Sequence, residues 1–330
     1  MNLIEIRDKV LAGYDINKEE AMYLYSYENY NELIDAANEI RKKYMGDAFD
    51  LCTIINAKCG YCSEDCKFCA QSKHYGLNSE VYGFLDEDII LADAKRQKEN
   101  GILRYSLVVS GKKLSNRDVD KACKVIKRIK EEVGIEVCVS FGLLSYENYK
   151  KLNEAGASRV HNNLETSRSF FDKICTTHKY DEKIEALKNA IKAGMEACSG
   201  GILGLGETRE ERLDMAFDLK KLGIKSIPVN VLNPIEGTPL ENNEILTREE
   251  VNRTIAVYRF IFKDAFIRLA GGRALLGDKG KESFLSGANA TITGDMLTTA
   301  GINAKVDLDL IDQLGFVPKL VSLNQSIDVL

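Results

Sequence analysis

Short apolar runs rich in β-branched residues alternate with longer charged stretches from about residue 50 onward. Such runs predict strands, and the charged stretches between them predict helices. The predicted strands are 51–57, 103–109, 135–141, 158–163, 196–203, 225–232, 265–270 and 288–292. This alternation favours a (β/α)8 TIM-type barrel of the α/β class. A doubly wound sheet is the second interpretation, but no G-x-G-x-x-G follows the first predicted strand.

The first 45 residues have a different pattern, which predicts amphipathic helices. Leu3, Ile6 and Val10 share one helix face, and Asn17 precedes a Lys-Glu-Glu run as a helix cap would. We therefore predict an N-terminal helical extension over 1–45, a barrel over 46–318 and a C-terminal tail over 319–330.

Composition narrows the class of protein. The chain has 330 residues, 45% hydrophobic content and a net charge of −5. Basic residues are interspersed with acidic ones, so a nucleic-acid partner is not expected. No apolar run is long enough for a bilayer, and the first residues lack the apolar core of a signal peptide. Nine cysteines in such a chain predict a reducing, cytoplasmic setting and metal ligation.

The chemistry is concentrated in Cys62, Cys66 and Cys69, spaced C-x3-C-x2-C directly after the first predicted strand. Three thiolates can hold three irons of a [4Fe-4S] cluster and leave the fourth iron open to a substrate or cofactor. Zinc is the alternative, with Cys59 as fourth ligand, although no second C-x2-C pair follows. In an α/β barrel this loop lies at the carboxyl face, where active sites are found.

This spacing is that of the radical S-adenosylmethionine (SAM) enzymes, and further segments resemble the biotin synthase family from about residue 45 to 318. These segments are 56–58, 198–208, 228–240, 268–273, 287–289 and 297–299. The resemblance implies that a 5′-deoxyadenosyl radical abstracts hydrogen from dethiobiotin. An auxiliary Fe-S cluster, [2Fe-2S] in the family, then supplies sulfur to form biotin. It also implies flavodoxin or ferredoxin as electron donor, and a homodimer.

The resemblance implies contacts to SAM and dethiobiotin from strand ends and the loops that follow them. They are Phe68 at adenine, Glu165 at the ribose, Lys183 at the SAM carboxylate, Gly200 and Gly201 at the methionyl part, Asn163 at the ureido ring, and Asn230 at either ligand. Glu165 stands where the family tends to carry aspartate, and His161 where it carries asparagine.

The auxiliary-cluster positions depart from the family pattern. Cys138, Cys198 and Arg268 match three of its ligands, but Ser106 stands where a cysteine is expected. Serine is a poorer iron ligand, because its hydroxyl loses a proton far less readily than a thiol. We predict that Cys52, on the neighbouring first strand, replaces the missing thiolate, with Cys59 ranked second. A small buried hydrophobe is the structural alternative for Cys52.

Two other functions stay open at this point. A radical SAM enzyme of the hydrogenase-cofactor maturase or mutase type would share the barrel and the first cluster. It would not need Cys138, Cys198 and Arg268 as a set. A non-catalytic cluster-bearing sensor or carrier would not need Asn163, Glu165 or Asn230.

Overall fold

Parallel strands closing into a barrel form the centre of the molecule. The computed structural model describes residues 2–77, 80–297, 299 and 301–321. Residues 322–330 of the predicted tail and Thr298 of the segment 297–299 lie outside this part. The strands are Ala48–Lys58 (β1), Arg104–Val109 (β2), Glu136–Ser140 (β3), Ala157–His161 (β4), Glu196–Cys198 (β5), Gly201–Leu203 (β6), Ser226–Val231 (β7), Phe266–Leu269 (β8), Ala290–Thr293 (β9) and Val317–Pro318 (β10).

The strand order confirms the predicted barrel. Pairing runs from β1 through β2, β3, β4 and β5 to β7, β8 and β9, and β9 returns to β1. The predicted strand 196–203 is two short strands, since β5 and β6 both pair with β7. Short β10 pairs with the start of β1 outside this circle.

Helices cover the outside of the barrel. Within the described residues they are Leu3–Leu11 (α1), Lys18–Tyr25 (α2), Tyr30–Met45 (α3), Glu87–Glu99 (α4), Asn116–Arg128 (α5), Tyr146–Glu154 (α6), Arg168–Ile174 (α7), Tyr180–Lys192 (α8), Arg209–Lys221 (α9), Arg248–Ile261 (α10), Lys281–Leu285 (α11) and Ala304–Gln313 (α12). The first three form the N-terminal helices, where α3 packs on α10 and α2 packs on α9.

Strand alternation determines what faces the barrel interior. In β1, Leu51 points outward into the core between barrel and helices, whereas Cys52 and Ile54 point inward and line a central cavity. In β3, Val139 is outward and Cys138 is inward in the same way. Because successive strand residues face opposite sides, the barrel keeps an apolar outside and a chemically reactive inside.

The N-terminal helices are joined to the barrel by buried polar contacts. Arg212 of α9 donates hydrogen bonds to Glu207 (2.6 Å), Glu250 (2.6 Å) and the hydroxyl of Tyr25 in α2 (3.3 Å). Glu207 in turn accepts a hydrogen bond from the backbone N–H of Gly204 at 3.0 Å. A continuous set of contacts therefore leads from α2 to the loop that follows β6.

Candidate active site in the barrel

One cavity of about 410 Å³ runs from the carboxyl face of the barrel into its interior. All the site residues predicted from the sequence line it except Gly200 and Gly201. Those in the lining are Cys52, Cys62, Cys66, Phe68, Cys69, Cys138, Asn163, Glu165, Lys183, Cys198, Asn230 and Arg268. Residues from distant parts of the chain thus meet in one space of a size typical of small-molecule sites.

The C-x3-C-x2-C loop lies at the mouth of this cavity, directly after β1. Its backbone is held by hydrogen bonds from Cys62 N to Gln71 O and from Lys73 N to Cys62 O, both 3.0 Å. Cys69 N donates to Cys66 O at 3.0 Å, which closes a turn between two of the thiols. The loop therefore presents its three thiols to the cavity from an ordered backbone.

A second segment, the turn between α7 and α8, holds this loop from the other side. Asp65 accepts backbone hydrogen bonds from Thr176 at 2.8 Å and Thr177 at 3.2 Å. Burial raises the pKa of Asp65, but hydrogen bonds from Thr176, Cys175 and Thr177 outweigh it and hold that pKa well below the usual range. Asp65 is therefore a carboxylate that fixes the cysteine loop to the α7–α8 turn.

Cys175 and His178 of the same turn lie against Cys66, and sequence reasoning gave them no function. The Sγ atom of Cys175 is 3.2 Å from His178 Nδ1. Hydrogen bonding from Cys66, and then from His178, lowers the pKa of Cys175 to about 4 against the opposing effect of burial. The only available signal was that a cysteine and a histidine, both common zinc ligands, stand three positions apart in the sequence.

Deeper in the barrel, Cys52, Cys138 and Cys198 are buried and all line the cavity. Arg268 Nη1 donates a hydrogen bond to Cys52 Sγ at 3.1 Å. Ser226 Oγ donates one to Cys198 Sγ, also at 3.1 Å. The structure therefore brings together the four side chains predicted for the auxiliary site.

Ser106 and Cys59, the other residues considered for that site, differ in position. Ser106 pairs in register with Cys138 on the neighbouring strand β3 and lines the same cavity. Burial raises the pKa of Cys138 to about 12. Cys59 is buried beside Tyr82 and does not belong to the described lining of the cavity.

His161 lies beside Cys198 in the paired strands β4 and β5. Burial raises the pKa of Cys198, but a hydrogen bond and charge interaction from His161, followed by Arg268 and Arg159, outweigh it and bring that pKa to about 6. The interior therefore favours thiolate at Cys198.

Buried arginines surround the inner thiols, and sequence reasoning missed two of them. Arg159 and Arg268 donate to Asp50 Oδ2 at 2.7 and 2.8 Å, and Arg104 Nε is 3.9 Å from the same oxygen. Arg159 also donates to Glu196 at 2.9 Å. Arg104 Nε is buried without a hydrogen-bond partner in the described part of the chain. Three guanidinium groups therefore face only two carboxylates, those of Asp50 and Glu196. This excess of positive charge suits a cluster whose thiolate ligands add negative charge.

Polar residues of the upper cavity are held in place by backbone contacts. Lys183, 8% exposed, donates to the carbonyl of Asn163 at 2.9 Å and lies 3.8 Å from Glu165 Oε1. Asn163 Oδ1 accepts the Gly200 N–H at 3.1 Å. Glu165 has a backbone φ of 72°, in the left-handed region that costs energy for a non-glycine residue. This strained backbone turns a carboxylate into the cavity.

Gly200 and Gly201 lie behind the lining, where neighbouring backbone comes very close. A Cβ at Gly200 would lie 1.9 Å from the carbonyl oxygen of Pro228, and one at Gly201 would lie 2.6 Å from the carbonyl oxygen of Glu165. Glycine is therefore required to pack β7 against the break between β5 and β6. Asn230 spans this region, since it donates to Gly201 O at 3.1 Å and accepts from Gly271 N at 2.9 Å.

Phe68 is half-buried at the mouth, against an apolar cluster that includes Phe170, Ile174 and Leu232. This cluster gives the mouth a flat apolar wall on one side of the three thiols.

Comparisons with known proteins agree with this geometry. Residues 58–219 match the model of the radical SAM superfamily, and residues 228–317 match that of the biotin and thiamin synthesis associated domain. The biotin synthase of Brachyspira hyodysenteriae is 54% identical over 96% of this chain and 95% of its own length. That of Clostridium botulinum is 53% identical over 96% of this chain and 99% of its own.

Two solved structures share the fold. Methylornithine synthase superposes with a TM-score of 0.83 at 22% identity, covering 96% of this chain and 97% of its own. A maturase of the [FeFe]-hydrogenase also gives 0.83, at 21% identity, covering 97% and 76%. At such identities the likeness establishes the barrel alone.

Barrel, cysteine loop and family models together define a radical SAM enzyme. Within that class, relatives about half identical over nearly the whole chain place the protein more narrowly: it belongs to the biotin synthase family. The maturase or mutase alternative is not favoured, and neither is a non-catalytic carrier. No helix in the described residues is long and apolar enough to cross a membrane.

Proposed function

We propose that this chain converts dethiobiotin to biotin, with the thiols at the cavity mouth and those in the barrel interior holding separate Fe-S clusters. Membership of the biotin synthase family gives the reaction, the substrate, SAM, a [4Fe-4S] cluster and an auxiliary Fe-S cluster. The observation that supports the residue roles is the lining of one cavity by two groups of cysteines. A substrate between them has access to both.

Cys62, Cys66 and Cys69 are the proposed ligands of the [4Fe-4S] cluster. With SAM bound, this cluster supplies one-electron chemistry that removes hydrogen from unactivated carbon, which acid–base groups cannot do. The residues fit the group, because three thiols on one ordered loop leave one iron open. Phe68 offers an apolar face for adenine.

The upper cavity residues are proposed to orient the small molecules. Glu165 accepts hydrogen bonds from ribose hydroxyls, and Lys183 neutralises the SAM carboxylate from a buried position. Asn163 keeps its NH2 group available to the cavity while backbone fixes its oxygen, and backbone contacts at both ends of the Asn230 amide fix that side chain in the lining. Gly200 and Gly201, behind the lining, let the backbone next to the methionyl part pack closely. These contacts hold both molecules in one orientation, which is how binding energy accelerates a reaction.

For the auxiliary cluster we propose Cys52, Cys138, Cys198 and Arg268. The thiolate lost at Ser106 is replaced from β1, next to β2, so the number of thiolates stays at three. Cys52 is supported by its hydrogen bond from Arg268 and its place in the lining. Arg268 is buried against Asp50, which favours its charged form, so direct ligation to iron requires that its guanidinium lose a proton.

The function is tested by an anaerobic single turnover of the cluster-loaded protein with SAM, a low-potential reductant and dethiobiotin. Biotin formed without added sulfide, read by mass spectrometry, is the expected result. If 5′-deoxyadenosine accumulates and no biotin forms, the radical site works but the substrate or the sulfur source is wrong.

The ligand set is tested by iron and sulfide content after Cys52→Ala. We expect loss of the auxiliary iron and sulfide with the [4Fe-4S] signal retained. Cys123→Ala, on the half-buried face of α5, is the control and should change neither. An unchanged auxiliary content in Cys52→Ala would contradict the assignment.

We further propose a homodimer, an acidic flavodoxin or ferredoxin as electron donor, and a cytoplasmic location. Exposed Lys73 on the cysteine loop and Lys113 beside the mouth support an acidic donor. The nine cysteines are free thiols, which suits a reducing compartment. Light scattering tests the dimer. Reduction kinetics of Lys73→Glu with Lys113→Glu test the donor, and we expect slower reduction by the protein donor but not by dithionite.

A further inference from the structure

Three metal-binding donor atoms meet at the α7–α8 turn, apart from the inner cysteines. One atom each from Cys66, Cys175 and His178 lies within 4.8 Å of the other two. Cys175 and His178 are 2% and 6% exposed. Two sulfurs and one imidazole nitrogen form a donor set that Zn²⁺ prefers in proteins.

The distance between the sulfur of Cys175 and the ring nitrogens of His178 is close to that expected around one bound zinc ion. With Zn–S and Zn–N bonds of about 2.3 and 2.0–2.1 Å, a tetrahedral site places sulfur and nitrogen about 3.6 Å apart. Cys175 Sγ is 3.8 Å from His178 Nε2 and 3.2 Å from Nδ1, so these separations bracket the expected value, and an ion on Nε2 requires the imidazole to rotate toward the sulfur. A thiolate of Cys66 committed to such an ion is no longer free to act as a terminal ligand of a cluster iron.

The surroundings orient these donors in the way typical of zinc sites. His178 Nδ1 is 2.6 Å from Glu64 Oε2, so this carboxylate holds the ring and leaves Nε2 for a metal. Thr177 Oγ1 donates to the same Glu64 oxygen at 2.8 Å and fixes its position. Asp65 Oδ1 accepts a hydrogen bond from the Cys175 thiol at 3.2 Å and so holds this sulfur in position.

We propose that, before its Fe-S cluster is assembled, the protein binds one Zn²⁺ ion through Cys66, Cys175 and His178, with a solvent molecule as the fourth ligand. Bound zinc keeps Cys66 from the cluster, so the ion must leave before cluster assembly. Zinc binding itself is independent of the proposed function, whereas the block on assembly rests on Cys66 being a cluster ligand.

The test begins with cluster-free protein prepared anaerobically and titrated with Zn²⁺ against a chromophoric chelator. We expect one tight site per chain, and a Co²⁺ spectrum with thiolate-to-metal charge transfer and tetrahedral intensity. Cys175→Ser, which keeps a hydroxyl for Asp65, and His178→Gln should each weaken zinc binding roughly 100-fold or more. Glu64→Gln should weaken it about 10–100-fold.

A matched variant separates this site from the C-x3-C-x2-C motif. Cys62→Ala with Cys69→Ala removes two of the cluster thiols but none of the proposed zinc ligands, so zinc affinity should stay within about threefold. Cys123→Ala should also leave it unchanged. If the double variant loses zinc and Cys175→Ser keeps it, the ion belongs to the cluster motif and the proposal is wrong. Absence of a tight site in the cluster-free parent protein would overturn it too.

The effect of bound zinc on Fe-S cluster assembly is measured separately, from the rate at which the cluster absorbance forms. Zinc-loaded protein should form the cluster absorbance slowly until a chelator is added, whereas Cys175→Ser should be insensitive to zinc. Equal rates with and without zinc in the parent protein would refute the block. Failure to make biotin with zinc binding intact would instead contradict the proposed function alone.

Discussion

Asp50→Asn is the substitution that most directly tests the electrostatics of the barrel interior. Asp50 is 1% exposed, and its Oδ2 lies 2.7 Å from Arg159 and 2.8 Å from Arg268. Asparagine keeps the shape of the side chain and removes its charge. Arg268 then loses its carboxylate partner, and Arg159 keeps only Glu196.

The expected cost follows from this burial. Removing one partner of a buried ion pair destabilises a protein by about 3–5 kcal/mol, because the remaining charge is left uncompensated. The entropy of unfolding for a chain of this length is about 0.7 kcal/mol/K, which converts the loss to a melting temperature lower by about 4–7 °C.

The assay is thermal unfolding of cluster-free protein, followed anaerobically by circular dichroism at one scan rate. Asp88→Asn is the matched control: Asp88 accepts from Arg128 at 2.9 Å, but its side chain is 88% exposed. Water already solvates that pair, so the melting temperature of the Asp88→Asn variant should be nearly that of the parent protein. An equally small change for Asp50→Asn would refute the reasoning and would mean that the buried arginines do not need this carboxylate.

The pH dependence gives a second check on the same variant. Burial raises the pKa of Asp50, but Arg268, Arg159 and Arg104 outweigh it and hold the pKa well below the usual range. Because the pKa is lower in the folded than in the unfolded protein, the carboxylate contributes stability above the unfolded-state pKa of about 3.9. This contribution is lost as the pH falls toward the folded-state pKa. The difference in melting temperature between the parent protein and Asp50→Asn should therefore be constant from pH 6 to 8 and should narrow only below about pH 4.

Three further substitutions have expected outcomes. Gly200→Ala forces a Cβ to within 1.9 Å of Pro228 O, so we expect a lower melting temperature and weak SAM binding by equilibrium dialysis. Arg273→Lys breaks the two 2.7 Å hydrogen bonds to Asp307 that hold α12, and should cost about 1.5–3 kcal/mol in denaturant unfolding. Glu165→Gly relieves a backbone φ of 72° and should stabilise the protein by about 1 kcal/mol while SAM affinity falls. A Glu165→Gly variant that binds SAM as tightly as the parent would contradict the proposed ribose contact.

The sequence was sufficient to predict the barrel because each strand and helix has its own local pattern. Cys62, Cys66 and Cys69 could be placed at the mouth for the same reason, since a loop after a barrel strand lies at the carboxyl face. The break between β5 and β6 was missed. It depends on the approach of Pro228 to Gly200, and no pattern within the strand records that contact.

The buried charges were missed for a related reason. Arg104 and Arg159 lie in runs that predict strands, and strand alternation shows only that they face one side. Their convergence on Asp50 depends on closure of the barrel, which brings residues 54 and 109 positions apart in sequence to one oxygen. Cys175 and His178 meet Cys66 through a comparable long-range contact.

The packing of the N-terminal helices on α10 has a consequence for the synthesis of the chain. Leu33 and Ile40 of α3 are fully buried, and α3 packs on a helix that ends at Ile261. At about 5–20 residues per second, roughly 10–40 s separate translation of the first helices from that of their partner. During that interval the face of α3 that packs on α10 has no native surface to cover it. A chaperone that binds short amphipathic helices should therefore associate with the nascent chain early and leave it once α10 has emerged from the ribosome.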